Sequence, residues 1–472
     1  MNDLPSRSAL DLAAALRARE FSAVELLDAC LAEVDRLNDS LNAVIWRDDE
    51  SARAAARAAD ERLARDEEAP FLGVPIPIKD LTEVKGQPVT YGSRGRPIDP
   101  WQGPSEMVVD ALRAAGFVLA GRTNTPELGH ITATENLRWG ITRNPWDTSR
   151  TPGGSSGGAA AATAAGMFPV AHANDGGGSI RIPASCCGLV GLKASRGRVP
   201  RLSQSWLGAV IEGAVTRTVA ESAAILDVIA GPDSASWYNA PVPERPFADE
   251  VRADPRPLRI GLMAAGPHGM PIEPVCAEAA NRVGQALEQL GHHVAPAEVA
   301  TVSEQLIAPF VFLVESSLGE HLGDIDFEQV EPHIAAQYQN AQTHSAAEYV
   351  RVSKDIERLS RELVAPWGRD FDVLVTPTMG IAPPPAGMLM EISHANPSEP
   401  SEVVVATVAF TAFANVTGQP AISLPVHQTE DGVPVGAQLI GAPFQEATLL
   451  RLAGAIEQAL PWADRVPAVA QT

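Results

Sequence analysis

The sequence predicts an α/β protein built in layers around a mixed sheet. Three observations lead there. The N-terminal part carries helical periodicity. From Phe71 to about Gly231, short apolar runs broken by Gly and Pro alternate with helical patterns. Strand-like runs return late, at 371–376, 421–426 and 435–440. The 472 residues suffice for a large buried core.

Taken in order, Ser22 followed by Glu25 is a capping-box pattern, and Val24, Leu27, Leu31 and Val34 then repeat at helical spacing. An Ala/Arg-rich helix is expected over 51–65. Apolar runs at 73–78 and 117–120 read as strands, with a helix over 105–115 between them. Thr218 and Glu221 cap another helix that ends at Gly231. A proline-rich surface connection covers 240–257. A strand over 258–263 and a helix over 273–290, stopped by Gly291, follow it. Residues 300–370 read as mostly helical and irregular, and 380–400 as a long proline-containing loop, either a pocket rim or a surface excursion.

Composition narrows the function. Hydrophobic residues make up 45% and charged residues 20%, as in ordinary globular proteins. With 36 basic against 58 acidic residues, the net charge of -22 argues against a nucleic-acid surface, which needs basic side chains to replace counterions. No apolar run approaches the roughly 20 residues that span a bilayer, so no membrane partner is expected. Residues 1–20 lack a signal-peptide layout. The four cysteines, two of them adjacent, make no C-x-x-C pair, and a reducing cytoplasm is expected. The ten histidines show no H-E-x-x-H spacing, so neither a metal nor another cofactor is expected.

Two glycine-serine segments carry the chemistry. One is Thr151-Pro-Gly-Gly-Ser155-Ser156-Gly-Gly158; the other is Asn174-Asp175-Gly-Gly-Gly-Ser179-Ile-Arg181-Ile-Pro183. Dense glycines let backbone N–H groups converge on an anion, and a serine in such a nest sits beside the oxyanion position of acyl transfer. Either segment alone also fits a flexible turn. Neither supplies the lysine of a phosphate loop, and no dinucleotide fingerprint is present. Gly153-x-Ser155-x-Gly157 matches a nucleophile elbow. That reading would need a late histidine, with His427 the nearest candidate, and the residues before it make a poor strand. A serine needs a base, and Lys79 ends the apolar run Gly73-Val-Pro-Ile-Pro-Ile-Lys79-Asp80. An ordinary lysine, with a pKa of about 10.4, is almost wholly charged at pH 7, and burial is what lowers it. A lysine snorkelling at a strand end is the plain alternative.

The order Gly-Val-Pro-x-x-x-Lys-Asp, GGSSGG, Asp-Gly-Gly-Gly-Ser-Ile-Arg-Ile-Pro resembles the amidase-signature family. So do Gly121-Arg-Thr-Asn-Thr-Pro-Glu127, Gly140-Ile-Thr-Arg-Asn-Pro-Trp146, Gly188-Leu-Val-Gly-Leu-Lys193 and Gly418-Gln-Pro-Ala-Ile-Ser-Leu-Pro425. The resemblance covers most of the chain. It implies a single domain over 1–472, with a mixed central sheet covered by helices on both faces. Within it, 1–70 would form a helical layer, 71–231 the catalytic core, and 232–472 the remainder with the variable pocket loops.

For the site, the resemblance implies Ser179 as nucleophile, Ser155 as bridging serine after a cis Gly154–Ser155 peptide, and Lys79 as base. The N–H groups of Gly176, Gly177, Gly178 and Ser179 would form the oxyanion hole, with Asp175 and Arg181 bracing it. Gly176 stands where Thr or Ile is common, which would either widen the pocket floor or loosen the nest. Arg181-Ile182-Pro183 differs from the Arg-Gln-Pro of amidotransferase subunits that depend on a partner, and favours a self-sufficient hydrolase. The run 171–193 looks especially like bacterial amidases acting on 6-aminohexanoate cyclic dimers, whose relatives hydrolyse aryl acylamides; carbamates share the planar carbonyl–nitrogen bond. The expected partner is therefore a neutral, fairly apolar amide or carbamate, and the chain could act as a homodimer. The expected pocket walls are 130–136 with His130, the region of Ser316 and Ser317, and 380–400.

Overall fold

The protein is described by a computed structural model covering residues 6–397 and 401–470. Its larger sheet has eight strands, in the order His293–Pro296, Arg259–Leu262, Val373–Pro377, Pro434–Gly441, Ala421–Gln428, Val190–Lys193, Ile211–Thr216 and Ala171–Asp175. Arg259–Leu262 runs parallel to both its neighbours, and the remaining pairings are antiparallel, so the sheet is mixed.

Both faces of the central strands are buried, while the edge strand His293–Pro296 is largely exposed, and the side-chain period of two sorts the buried residues between the faces. Along the central strands Val373, Val375, Ile422, Leu424, Ala437 and Leu439 enter one core. Helices Pro274–Gln289 and Glu446–Ala459 cover it with Cys276, Val283, Leu287, Leu449 and Ile456. Leu374, Ala421 and Ile440 point the other way. There they meet Phe410, Phe413, Leu306, Leu313 and Ile356 beneath helices Glu304–Ser316, Ala346–Val364 and Ala412–Thr417. This is a single α/β domain with a mixed sheet between helical layers.

The predicted helices form close to their expected ends: Ala23–Leu41, Asp49–Ala64, Met107–Ala114, Val219–Ile229 and Pro274–Gln289. Three features depart from the local reading. The strand Pro75–Lys79 is not part of the main sheet. It pairs in parallel with Val118–Thr123 in a separate three-stranded sheet, completed by Val44–Trp46 from the segment expected to be helical. The 380–400 segment contains a helix, Met388–Ala395, where a loop was expected. Its start is capped from far away, because the Glu135 carboxylate accepts the N–H groups of Gly387 at 2.7 Å and Met390 at 3.2 Å. The end of that expected loop, 398–400, lies outside the described residues. The proline-rich 240–257 connection also holds a short helix, Phe247–Glu250, anchored by buried Phe247.

Both predicted capping boxes are present, and they differ in burial. Glu25 is exposed and serves only its own turn. Glu221 is buried, and besides the Thr218 backbone and hydroxyl it accepts the N–H groups of Ala9 at 2.6 Å and Arg217 at 3.2 Å. Removing Glu221 therefore strands several buried donors. We expect Glu221→Ala to cost about 2–3 kcal/mol in urea unfolding and Glu25→Ala about 1 kcal/mol or less. Equal losses would refute this difference.

Candidate active site

Lys79 lies at the end of its strand, fully buried between the two sheets. Its Nζ sits 2.8 Å from Ser155 Oγ, 2.7 Å from Asn174 Oδ1 and 3.5 Å from the Asn174 carbonyl oxygen. Burial brings its pKa down to about 7, against the opposing pull of the Glu212 and Asp175 carboxylates. The two Asn174 oxygens can only accept. In the neutral amine they use its two N–H bonds and leave the nitrogen lone pair for the Ser155 hydroxyl. Asn174 is a positioning group that motif spacing did not single out.

Behind Lys79, its backbone N–H reaches His172 Nδ1 at 3.4 Å, and His172 Nε2 lies 2.9 Å from Glu212 Oε2. Arg201 closes on the other Glu212 oxygen. This chain keeps Glu212 charged in a buried place: burial would raise its pKa, but Arg201 and His172 hold it below the usual value.

Ser155 precedes helix Gly157–Ala164, and the Gly154–Ser155 peptide is cis. Thr134 Oγ1 ties this segment together by donating to the Gly153 carbonyl at 3.0 Å and accepting the Gly157 N–H at 2.8 Å. Ser179 follows strand Ala171–Asp175 and precedes helix Arg181–Cys187. No hydrogen bond joins Ser155 to Ser179, and the Ser179 hydroxyl makes none to any described residue; it faces a cavity of about 240 Å³.

The nest before Ser179 is held from below. Arg181 makes a two-pronged pair with Asp175, Nε to Oδ2 at 2.9 Å and Nη2 to Oδ1 at 3.0 Å, with both side chains wholly buried. Asn415 Nδ2 donates to Asp175 Oδ1 and to its carbonyl, each at 2.9 Å, and Asn415 Oδ1 accepts from Arg181 Nη2 at 2.6 Å. Burial alone would push the Asp175 carboxyl up, but the Arg181 guanidinium and its other donors hold it far below the usual range.

Asp175 also changes the expected oxyanion hole. Its Oδ1 takes the Gly178 N–H at 2.7 Å, so Gly178 is withdrawn from the four expected donors. The N–H groups of Gly176, Gly177 and Ser179 bond no described residue. Gly178 is required for its own conformation: φ is +135°, and a Cβ would fall 2.5 Å from Thr411 Oγ1.

The cavity wall is mainly apolar, with Trp206, Leu306, Phe310, Val404 and Val408 beside Ser179. His130, Ile131 and Thr132 line it as well. His130 Nδ1 pairs with Gln337 Oε1 at 2.6 Å, and burial lowers its pKa to about 4, so it is neutral near pH 7. Ile392, Ser393, Asn396 and Pro397 from the 380–400 segment complete the rim. From the region of Ser316 and Ser317, Val314 and Glu315 line the cavity, while Ser316 Oγ pairs with His344 Nδ1 at 2.8 Å and Ser317 Oγ accepts the Trp206 indole N–H at 2.7 Å. His427 pairs with Glu278 Oε2 at 3.3 Å and makes no contact with Ser155, which removes the elbow arrangement.

Gly176 is explained by this wall. A Cβ on it would stand 2.6 Å from Trp206 Cζ3 and 3.2 Å from Val210 Cγ2. Glycine makes room for the indole, which packs edge-on against His130 and Phe310 at ring separations of 5.7 and 5.8 Å.

The mixed sheet and the comparisons together define the class, an amidase. The family model described as Amidase matches residues 25–450. The chain belongs to the amidase-signature family, whose members hydrolyse amide C–N bonds. It is 36% identical, over 96% of its length and 94% of the relative's, to a 6-aminohexanoate-cyclic-dimer hydrolase of Paenarthrobacter ureafaciens. Its fold superposes on a structure of 6-aminohexanoate cyclic dimer hydrolase complexed with substrate, with a TM-score of 0.91, 34% identity and 99% of both chains covered. A bacterial aryl acylamidase of the same family gives a TM-score of 0.87 at 26% identity, covering 97% of each chain.

The Gly176–Trp206 contact makes a prediction about stability. Gly176→Thr is expected to cost about 1–3 kcal/mol by overpacking. The same substitution in a Trp206→Ala background is expected to cost much less, giving a clear coupling in a double-mutant cycle. Additive losses in urea unfolding would show that the indole does not dictate the glycine.

Proposed function

We propose that this protein hydrolyses neutral, fairly apolar amides through an acyl-enzyme on Ser179, with Ser155 as bridging serine and Lys79 as base. The observation that carries the proposal is the 2.8 Å contact between Ser155 Oγ and a wholly buried lysine amine. Such an amine is partly neutral at pH 7, since its pKa is about 7.

Neutral Lys79 takes the Ser155 proton while Ser155 takes that of Ser179. A rotation about the Ser179 Cα–Cβ bond closes this second link. Ser179 Oγ attacks the carbonyl carbon, and the C=O electron pair moves onto oxygen. The unpaired N–H groups of Gly176, Gly177 and Ser179 receive the oxyanion. The proton returns through Ser155 to the leaving nitrogen, the C–N bond breaks, and the amine departs. Water then releases the acid from Ser179 by the same relay. Asp175, Arg181 and Asn415 hold the nest in place without touching substrate.

The largely apolar wall supports the substrate class. Trp206, Phe310, Leu306 and Val404 suit an aryl or methylene-rich body, and neutral His130 offers one polar contact. Aryl acylamides, cyclic or linear amide oligomers and aryl carbamates all fit that chemistry. The likeness to a cyclic-dimer hydrolase and an aryl acylamidase supports the first two.

Comparing an anilide, a primary amide and an aryl carbamate tests the reading. Lys79→Ala and Ser179→Ala are each expected to lower kcat/KM by about 10³-fold or more with the preferred substrate. A fluorophosphonate should label Ser179, and labelling at Ser155 would refute its bridging role. Full activity in Lys79→Ala would overturn the relay. An inactive wild type would favour a subunit that needs a partner.

The pH dependence follows from Lys79. Deprotonation makes the base, so kcat/KM should rise as pH passes through about 7 and level off above it. Glu212 favours the charged amine. Glu212→Gln should therefore move this limb to lower pH. A shift to higher pH, or none, would rule Glu212 out as the group that tunes Lys79.

A further inference from the structure

Helices Pro332–Ala341 and Met388–Ala395 meet at the cavity rim, and three side chains of ligand type converge between them. Glu331 precedes the first helix, His333 lies in its first turn, and His394 lies in the last turn of the second. Glu331 Oε2 is 2.9 Å from His394 Nε2 and 3.8 Å from His333 Nδ1, and one ligand atom from each of the three lies within 4.8 Å of the others. Ligand spacing along the chain does not reveal this cluster, because His394 is far along the chain from His333.

A second observation points to a ligand. The His333 side chain is only 3% exposed, yet neither of its ring nitrogens has a hydrogen-bond partner among the described residues. A buried imidazole with both nitrogens unsatisfied is costly, and native structures rarely leave such a group without a partner. A plain Glu331–His394 pair accounts for two of the residues and leaves His333 unexplained.

The geometry suits a tetrahedral ion. Arms of 2.0–2.1 Å place neighbouring ligand atoms about 3.4 Å apart, between the 2.9 and 3.8 Å seen from Glu331 Oε2. Two imidazoles on such an ion have ring centres about 5 Å apart, and those of His333 and His394 are 5.5 Å apart. The other Glu331 oxygen accepts the Leu137 N–H at 2.7 Å, which orients the carboxylate from outside. Glu127 accepts the Glu331 N–H at 2.6 Å, adding a second carboxyl nearby. The last turn of Met388–Ala395 favours a cation. The Glu331 carboxylate offsets the unfavourable N-terminus of Pro332–Ala341.

We propose that Glu331, His333 and His394 form a site for one zinc-type divalent cation, which clamps these two helices together at the pocket rim. Two imidazoles and one carboxylate select zinc-like ions over calcium or magnesium. The fourth position is left for water or for a heteroatom of a molecule in the pocket that His333 lines. The site stands apart from the Lys79–Ser155 pair and takes no part in the proposed relay.

The test uses the full-length chain without a histidine tag, stripped with EDTA and titrated with zinc by calorimetry and with cobalt by visible absorption. We expect one ion per chain, tetrahedral cobalt bands and a zinc-dependent rise in Tm. His394→Gln and His333→Gln should each weaken zinc at least tenfold and abolish the Tm rise. His394 is partly exposed, so its variant should fold even if buried His333 does not tolerate change; circular dichroism of the metal-free proteins checks this. Absence of saturable zinc binding, or unchanged affinity in folded His394→Gln, would overturn the site. Affinity is read without turnover, so its failure leaves the reading of Lys79, Ser155 and Ser179 untouched.

Discussion

A lysine amine wholly removed from water constrains everything around it. Charged, it would carry a large desolvation penalty; neutral, it still has two N–H bonds and a lone pair to satisfy. The surrounding structure meets both conditions. Asn174 supplies two acceptors, Ser155 supplies a hydroxyl, and Glu212 and Asp175 temper the loss of proton affinity that burial imposes. These partners come from separate segments. The three-stranded sheet brings Lys79, strand Ala171–Asp175 brings Asn174, and the loop before Gly157–Ala164 brings Ser155. The two sheets must therefore pack in a fixed relation, and the fold is organised to hold it.

The second constraint is the floor beneath the glycine nest. Three consecutive glycines have little conformational preference of their own, so their N–H groups converge only if something external directs them. Asp175 does this by capturing the Gly178, Ile180 and Arg181 N–H groups, and Arg181 and Asn415 hold Asp175 in turn. One consequence is that the Gly178 N–H is taken by Asp175, while those of Gly176, Gly177 and Ser179 bond no described residue. The buried ion pair acts here as a scaffold for backbone geometry, because both partners are fully hydrogen-bonded and neither reaches the cavity.

Much of the local structure was legible. The boxes at Ser22 and Thr218 start their helices because a side-chain oxygen and a glutamate three residues on satisfy the first free N–H groups. The strands at 373–377, 421–428 and 434–441 declare themselves as apolar runs because both their faces are buried. Strand Ala171–Asp175 was not legible as a strand, since His, Asn and Asp interrupt it for the sake of the site. Helix Met388–Ala395 hid for a different reason: Gly387 and three prolines precede it, and its cap is Glu135, more than 250 residues away.

By itself the sequence determined the layered α/β class, the family and the set of polar residues gathered in the glycine-serine segments. Those depend on residue type and short-range order, which pattern and spacing record directly. Only the tertiary structure decided what each group touches. It showed that Gly178 is spent on Asp175, that Ser316 faces His344, that Gly176 yields space to Trp206, and that Glu331, His333 and His394 converge. Such contacts join residues whose separation along the chain carries no signal. They arise from the packing of whole helices and sheets, in which each side chain's partner is set by elements folded far from it in sequence.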